Sequence, residues 1–314
     1  MKFFPFFFFL FTTGFLFAQL PASHLRYEHV RAEFINSERL EVSPLRASVD
    51  LNLQSELMTE LNKNPQYRKL IAQKKLGVAL VDISDPLDTR YAAVNGDHMM
   101  YAASLPKIAV LFAAQDAIEK GTLKVTPTIA QDMKMMITKS NNAATTRMID
   151  RVGMKNIQQL LQEPRYKFYD KNRGGGLWVG KRYGSGGARI GDPLKNLSHA
   201  ATPTQVARFY YQLYHGQLIN PDASDKMLDI LVDPQLHHKF VNTLDRVAPN
   251  AKVYRKSGSW SSFHSDSAIV IDPTNPWRRY ILVGLVDDAN GGAIIKDLVL
   301  KAERALRKRN DVRI

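Results

Sequence analysis

What most limits the fold of this chain is where its strands can lie. Residues 76–82, Leu-Gly-Val-Ala-Leu-Val-Asp, form a near-continuous apolar run that reads as a buried strand. Residues 90–94 read as a second strand, reached through the turn Ser84-Asp85-Pro86. Strand patterns then vanish until residues 251–256, 266–271 and 280–286, with a Pro-Thr-Asn-Pro turn at 273–276 before the last. Between the two groups, from about 105 to 231, the apolar spacing is helical, broken by one glycine-rich, loop-like stretch at 170–198. A sheet has to be assembled from both chain ends around an inserted helical block. The late strands follow one another as an antiparallel meander, which fits an α+β layer better than alternating βαβ units. The expected class is α+β: an antiparallel sheet, flanking helices at 49–71 and 293–307, and an inserted all-α subdomain.

The N-terminus stands outside that plan. Met1-Lys2 precedes a Phe/Leu-rich run to Phe17, followed by Ala18-Gln19-Leu20-Pro21. One basic residue, an apolar core short of the ~20 residues a spanning helix needs, and a small residue before a polar break make the pattern of a secretory signal peptide. Cleavage is expected after Ala18, with a periplasmic or secreted product; an anchor that stays attached is the alternative. Residues 19–47 are polar and irregular. The chain contains no cysteine, which excludes a disulfide scaffold, a thiol nucleophile and thiolate metal sites. The core alone has to hold the fold.

The net charge is +13, and much of the excess sits near the C-terminus at Lys301, Arg304, Arg307, Lys308, Arg309 and Arg313. A solvated basic face is the plain reading; electrostatic contact with an anionic cell envelope is the functional one. No aromatic and basic recognition motif points to nucleic acid. The eight histidines include no H-E-x-x-H, so neither a zinc site nor any other cofactor is expected.

Three short motifs fall where the sheet and the helical block meet. Ser104-Leu-Pro-Lys107 opens the first inserted helix. A spacing of three puts the hydroxyl and the amine on one helix face, where a desolvated lysine can serve as the base that serine lacks. Chance supplies such a pattern about once in a chain of this length, and Ser104 as a simple helix cap is the alternative. Ser140-Asn141-Asn142 offers a hydroxyl to relay a proton and a carboxamide to hold an amide, though by itself it reads as a polar turn or cap. Lys256-Ser257-Gly258 ends a predicted strand with a cation, a hydroxyl donor and a residue that lets another backbone approach.

The order and separations of the three, 36 residues from Ser104 to Ser140 and 116 from Ser140 to Lys256, match the S-x-x-K, S-x-N, K-[ST]-G set. With the stretch from Met135 to Gly153, the Thr202-Pro203 helix start and Ser267-Ala-Ile-Val270, the chain resembles the class A β-lactamases within the β-lactamase/D,D-peptidase (penicillin-binding) superfamily. The resemblance covers about 48–308. It implies a sheet subdomain of 48–103 and 236–308, a helical subdomain of 104–235, and a basic tail at 309–314. It also implies that Ser104 forms an acyl-enzyme and Lys107 takes its proton. Ser140 would pass a proton to the leaving nitrogen, and Lys256 would tune Ser140 and attract a substrate carboxylate. Ser257 would bond that carboxylate and Asn142 the substrate amide. The backbone N–H groups of Ser104 and Ser259, beside Gly258, would hold the oxyanion.

Two departures from the family pattern matter. Asn141 stands where an aspartate is usual, and residues 170–202 contain no glutamate to activate a deacylating water. Glu163-Pro164 imitates the missing pair out of register and reads as a surface helix residue; Asp192 reads as a turn former. Acylation is expected, and rapid water attack on the ester is not. β-Lactam hydrolysis is therefore the first functional expectation. The second is a peptidoglycan D,D-peptidase or esterase that β-lactams inhibit, and the third is a non-catalytic envelope-binding protein. The glycine-rich stretch is expected to border the site as a lid or to be a surface insertion. His264, Trp260 and Phe263 are candidates for the cleft wall or for ordinary packing.

Overall fold

The computed structural model describes residues 43–184 and 186–310, with side chains described through 307. The expected signal peptide, its cleavage site and most of the irregular segment lie outside the described residues.

After a 3-10 turn at Leu45–Ser48, helix α1 spans Leu51–Asn62 and α2 spans Pro65–Ala72. The single helix expected over 49–71 is thus two. Pro65 has no N–H to donate and holds Asn64 in an extended conformation, and the Asn64 side chain caps the new helix by accepting from Gln66 N at 2.9 Å. Strands β1 (Leu76–Asp82) and β2 (Arg90–Val94) follow as predicted, then a two-residue strand β3 (Met100–Tyr101) that carries no pattern of its own.

The helical block begins with α3 (Lys107–Glu119), α4 (Pro127–Thr138), α5 (Asn142–Val152) and α6 (Met154–Gln162). Helix α3 is apolar on every side, from Ile108 to Ala114, and each of those residues is buried, so it runs through the centre of the block. The glycine-rich stretch follows. Its two ends are pinned by short pairings, β4 (Tyr169–Asp170) with β5 (Gly175–Gly176) and β6 (Trp178–Val179) with β7 (His199–Ala201), while residues 186–190 between them are exposed. Strand β7 in turn pairs with β3, which ties the stretch to the sheet domain just before Ser104.

Helix α7 (Pro203–Tyr214) packs on β1 and on the later strands Phe263–Ile271 and Arg279–Asp287, and α8 (Pro221–Leu231) returns to α3 and α4. After α9 (Phe240–Val247) come β8 (Lys252–Trp260), β9 (Phe263–Ile271), β10 (Arg279–Asp287) and the long α10 (Gly291–Asn310). The strand order is β2-β1-β10-β9-β8, antiparallel throughout. Helices α1, α9 and α10 cover one face, burying Leu53, Leu57 and Leu61 with Val78, Leu282, Leu298 and Val299. On the other side, Phe112 of α3, Phe168 and Phe209 of α7 meet edge to face or tilted at 5.5–6.1 Å between ring centres and join α3 to the helix that packs on the sheet. This is the α+β architecture expected. Among the described residues no helix is long and apolar enough to cross a membrane.

Candidate active site

Strand β8 is an edge strand, so one row of its backbone groups has no strand partner. The turn at 102–106 runs across that edge. Gly258 makes the approach possible, because a Cβ there would lie 2.3 Å from Ala102 O and 2.6 Å from Ser104 N. The turn is fixed from several directions. Ala102 N donates to His199 O at 2.9 Å, Ser265 Oγ donates to Ala102 O at 2.9 Å, and Tyr183 Oη donates to Ala103 O at 3.1 Å. Those bonds hold Ala103 at φ +50, a left-handed conformation costly for a residue with a Cβ, directly before Ser104.

Ser104 itself is half-buried, and Lys107, the first residue of α3, is fully buried. The Lys107 ammonium is not directed at the Ser104 hydroxyl. It donates to Ser140 O at 2.6 Å, Asn142 Oδ1 at 2.8 Å and Ser140 Oγ at 3.3 Å. Burial alone pulls its pKa down to about 7.

Ser140 joins α4 to α5 in the left-handed position that glycine usually fills at a helix end, with φ +54. Asn141 then caps α5, its Oδ1 accepting from Ala144 N at 2.8 Å. A carboxamide oxygen caps a helix as an aspartate would, so this departure leaves the local geometry intact. Lys256 Nζ, buried on β8, donates to Ser140 Oγ at 2.9 Å and to Ser257 O at 2.7 Å. Its pKa is held well below the ordinary lysine value, first by burial and then by the nearby charges of Lys107, Arg255 and Lys239, with Asp266 opposing. Both lysines thus lie within hydrogen-bond distance of Ser140 Oγ.

The motif residues thus converge. Ser104, Ser140, Lys107 and Lys256 form the floor, and Ser257 and Gly258 lie in β8 beside it. The strand runs on to Trp260 instead of ending at the motif, and Ser259 and Asn142 stand exposed at the rim. The carboxylate candidates do not converge. Glu163 ends α6, and its charge is felt at Lys120, beyond the far end of α3 and so roughly 20 Å along the helix from Lys107. Asp192 is a loop organiser: it accepts from Tyr169 Oη and the backbone N–H groups of Leu194, Lys195 and Leu197. Among the described residues no carboxylate bonds Lys107 or Ser140.

Several residues of the site carry no motif. The Tyr183 ring lies 4.6 Å from Lys107 Nζ and 4.2 Å from the His199 ring. His199, buried on β7, is bonded to Lys181 O at 3.0 Å and depressed by burial to a pKa of about 4, so it is neutral. Tyr101 and Phe263 meet edge to face at 5.4 Å and extend this aromatic wall, while Trp260 stays 66% exposed at the hairpin tip. Lys239, just before α9, reaches beneath β8 to Gly258 O, Ser259 Oγ at 2.8 Å and Ser265 O at 3.1 Å. His264 instead lies against Gly291 at the start of α10. Residues brought in by a loop or by the back of a strand have no spacing that marks them; only the glycine-rich composition around Tyr183 drew attention to its segment.

The profile of the Beta-lactamase enzyme family matches residues 65–133 and 124–308. No curated protein matches the sequence. Among solved structures, PBP-A is similar at 20% identity with a TM-score of 0.60, covering 83% of this chain and 97% of its own. The β-lactamase of Sphaerobacter thermophilus is 16% identical with a TM-score of 0.58, over 81% of this chain and 95% of that one. The TLA-3 extended-spectrum β-lactamase is 14% identical with a TM-score of 0.62, over 81% and 98%. At such identities the structures establish the fold, and the profile establishes descent: the chain belongs to the beta-lactamase enzyme family and is a serine hydrolase of β-lactamase type.

Proposed function

We propose that Ser104 attacks a β-lactam, or the equivalent acyl bond of a peptidoglycan-type peptide, and is left acylated in an ester that water releases slowly. Lys107, about half neutral at pH 7 because burial lowers its pKa to about 7, takes the Ser104 proton in its neutral form once substrate binding brings the two groups together. The backbone N–H groups of Ser104 and Ser259 receive the oxyanion. Ser140 gives its hydroxyl proton to the departing nitrogen, with Lys256 Nζ hydrogen-bonded to its oxygen. Ser257 and Lys256 suit a substrate carboxylate, and Asn142 a substrate amide. The observation that carries this reading is the Lys256–Ser140–Lys107 chain of hydrogen bonds closing under Ser104. Slow release is supported by the set of Lys107 partners, two oxygens of Ser140 and one of Asn142, with no carboxylate to activate water. A PBP-A variant has been solved as an acyl-enzyme complex with penicillin G, at 20% identity to this chain. The reading includes export through the N-terminal segment and attraction of the basic protein to an anionic envelope.

Incubation of residues 19–314 with a fluorescent penicillin, followed by intact mass, tests it. A Ser104-dependent adduct lasting hours is expected. An adduct cleared in seconds would make the protein a rapid β-lactamase instead, and the absence of any adduct would refute acylation.

A further inference from the structure

Tyr183 packs its ring against Lys107, between two other groups of the site. The Lys107 amino group bonds Ser140 O, Asn142 Oδ1 and Ser140 Oγ, and the Tyr183 ring packs against it, 4.6 Å from Nζ to the ring centre. The ring is held in place. Its hydroxyl is spent on Ala103 O at 3.1 Å, its face packs on His199 at 4.2 Å, and its carbonyl accepts from Thr146 Oγ1 at 3.0 Å. The preceding residue, Arg182, pairs with Asp150 of α5 at 2.6 Å. An ordered water needs two to four polar partners, and the ring offers none.

We propose that Tyr183 is a positioning residue that keeps hydrolytic water away from Lys107, so that an acyl group on Ser104 persists for transfer to an acceptor entering from the open side of the cleft. The inference rests on Ser104 forming the ester. Hydrolysis would require water to add to the acyl carbon while Lys107 takes its proton, and Ser104 Oγ to leave and recover that proton. With the ring in place no water reaches hydrogen-bonding distance of Lys107 on that side. The same cover explains how a lysine near open solvent stays dry. The other groups facing Lys107 are cationic or neutral, Lys256 on β8 and His199 on β7, and none of them favours its charge.

Two variants and two readouts test this. Tyr183→Ala removes the ring, while Tyr183→Phe keeps it and loses only the bond to Ala103 O; Tyr183→Leu replaces the alanine variant should that one not fold. The lifetime of the penicilloyl adduct is measured by intact mass. The Lys107 titration is followed by NMR on protein with ¹³C-labelled lysine, its signal assigned by loss in Lys107→Arg. Tyr183→Ala is expected to shorten the adduct lifetime by about tenfold or more and to raise the Lys107 midpoint by about a unit, as solvation returns. Tyr183→Phe keeps the ring and is expected to leave the Lys107 midpoint in place; loss of its bond to Ala103 O is expected to slow labelling by loosening the nucleophile turn, with an adduct lifetime still longer than in Tyr183→Ala. An unchanged adduct lifetime in Tyr183→Ala overturns the proposal. If wild-type protein takes no adduct, the acylation reading fails separately. The titration then decides alone: an upward shift supports the covering role and an unchanged midpoint overturns it.

Discussion

Replacing Gly258 by alanine puts the account of the site under direct strain. The new Cβ would lie 2.3 Å from Ala102 O, 2.6 Å from Ser104 N and 2.7 Å from Ser265 Oγ, where ordinary contacts begin near 3.4 Å. The serine hydroxyl can rotate away, but the other two atoms are backbone. They belong to a turn locked by His199 O, Ser265 Oγ and Tyr183 Oη, while Lys239 anchors the Gly258 carbonyl from behind. Strand β8 and the nucleophile turn must therefore part by about 1 Å, and the displacement falls between the N–H groups of Ser104 and Ser259. A misplacement of that size costs on the order of 10²-fold in rate. Overpacking should also cost about 1–3 kcal/mol of stability, a fall of several degrees in Tm. The assay is the second-order rate constant for labelling by a fluorescent penicillin, with a thermal melt to show that the variant is folded. A folded Gly258→Ala protein that labels within about threefold of wild type would refute the close approach as a requirement for the site.

Other consequences follow from the same geometry. Lys107 is held near pKa 7 by burial and accepts a proton only when neutral, so acylation should rise with pH through about 7, level off above it, and fall about tenfold per unit below. A pH–rate profile with its rise near the ordinary lysine value of ~10.4 would contradict this. Lys256→Ala should lower the acylation rate by about 10²–10⁴-fold through loss of the donor to Ser140, as measured by penicillin labelling. Glu163→Ala should leave adduct formation and lifetime unchanged, because that carboxylate lies by Lys120; a trapped acyl-enzyme would show it to be the missing base. Asp266→Asn should cost about 3 kcal/mol in urea unfolding, since it strips the charge that two Arg255 nitrogens meet at 2.7 Å in the interior.

Strands 76–82 and 90–94 were legible to the residue because their burial writes a dense apolar run into the sequence. Strands β8 and β9 were read short at their shared hairpin. The segment from Ser257 to Ser265 is rich in serine, with Ser265 bonding the nucleophile turn and Ser262 bonding Asp287, and so carries no alternating apolar pattern for periodicity to read. The break at Pro65 is written in the sequence as a helix-start proline after Asn64, but the leucine spacing continues on both sides of it and masks the boundary. Four catalytic candidates were legible because their spacing is set by two helix starts and one strand. Tyr183, His199 and Lys239 were not. Each reaches the site through a loop, a two- or three-residue strand pairing, or the back of β8, where contact depends on tertiary packing alone. The absence of a glutamate in 170–202 was legible, and the structure adds what stands by Lys107 instead: an aromatic ring.

Peptide-level mass mapping of the penicillin-treated protein tests the central claim most directly. The account predicts one added penicilloyl group, carried by the peptide containing Ser104, and none in Ser104→Ala. A penicilloyl group on any other residue, or one that persists in Ser104→Ala, would contradict it.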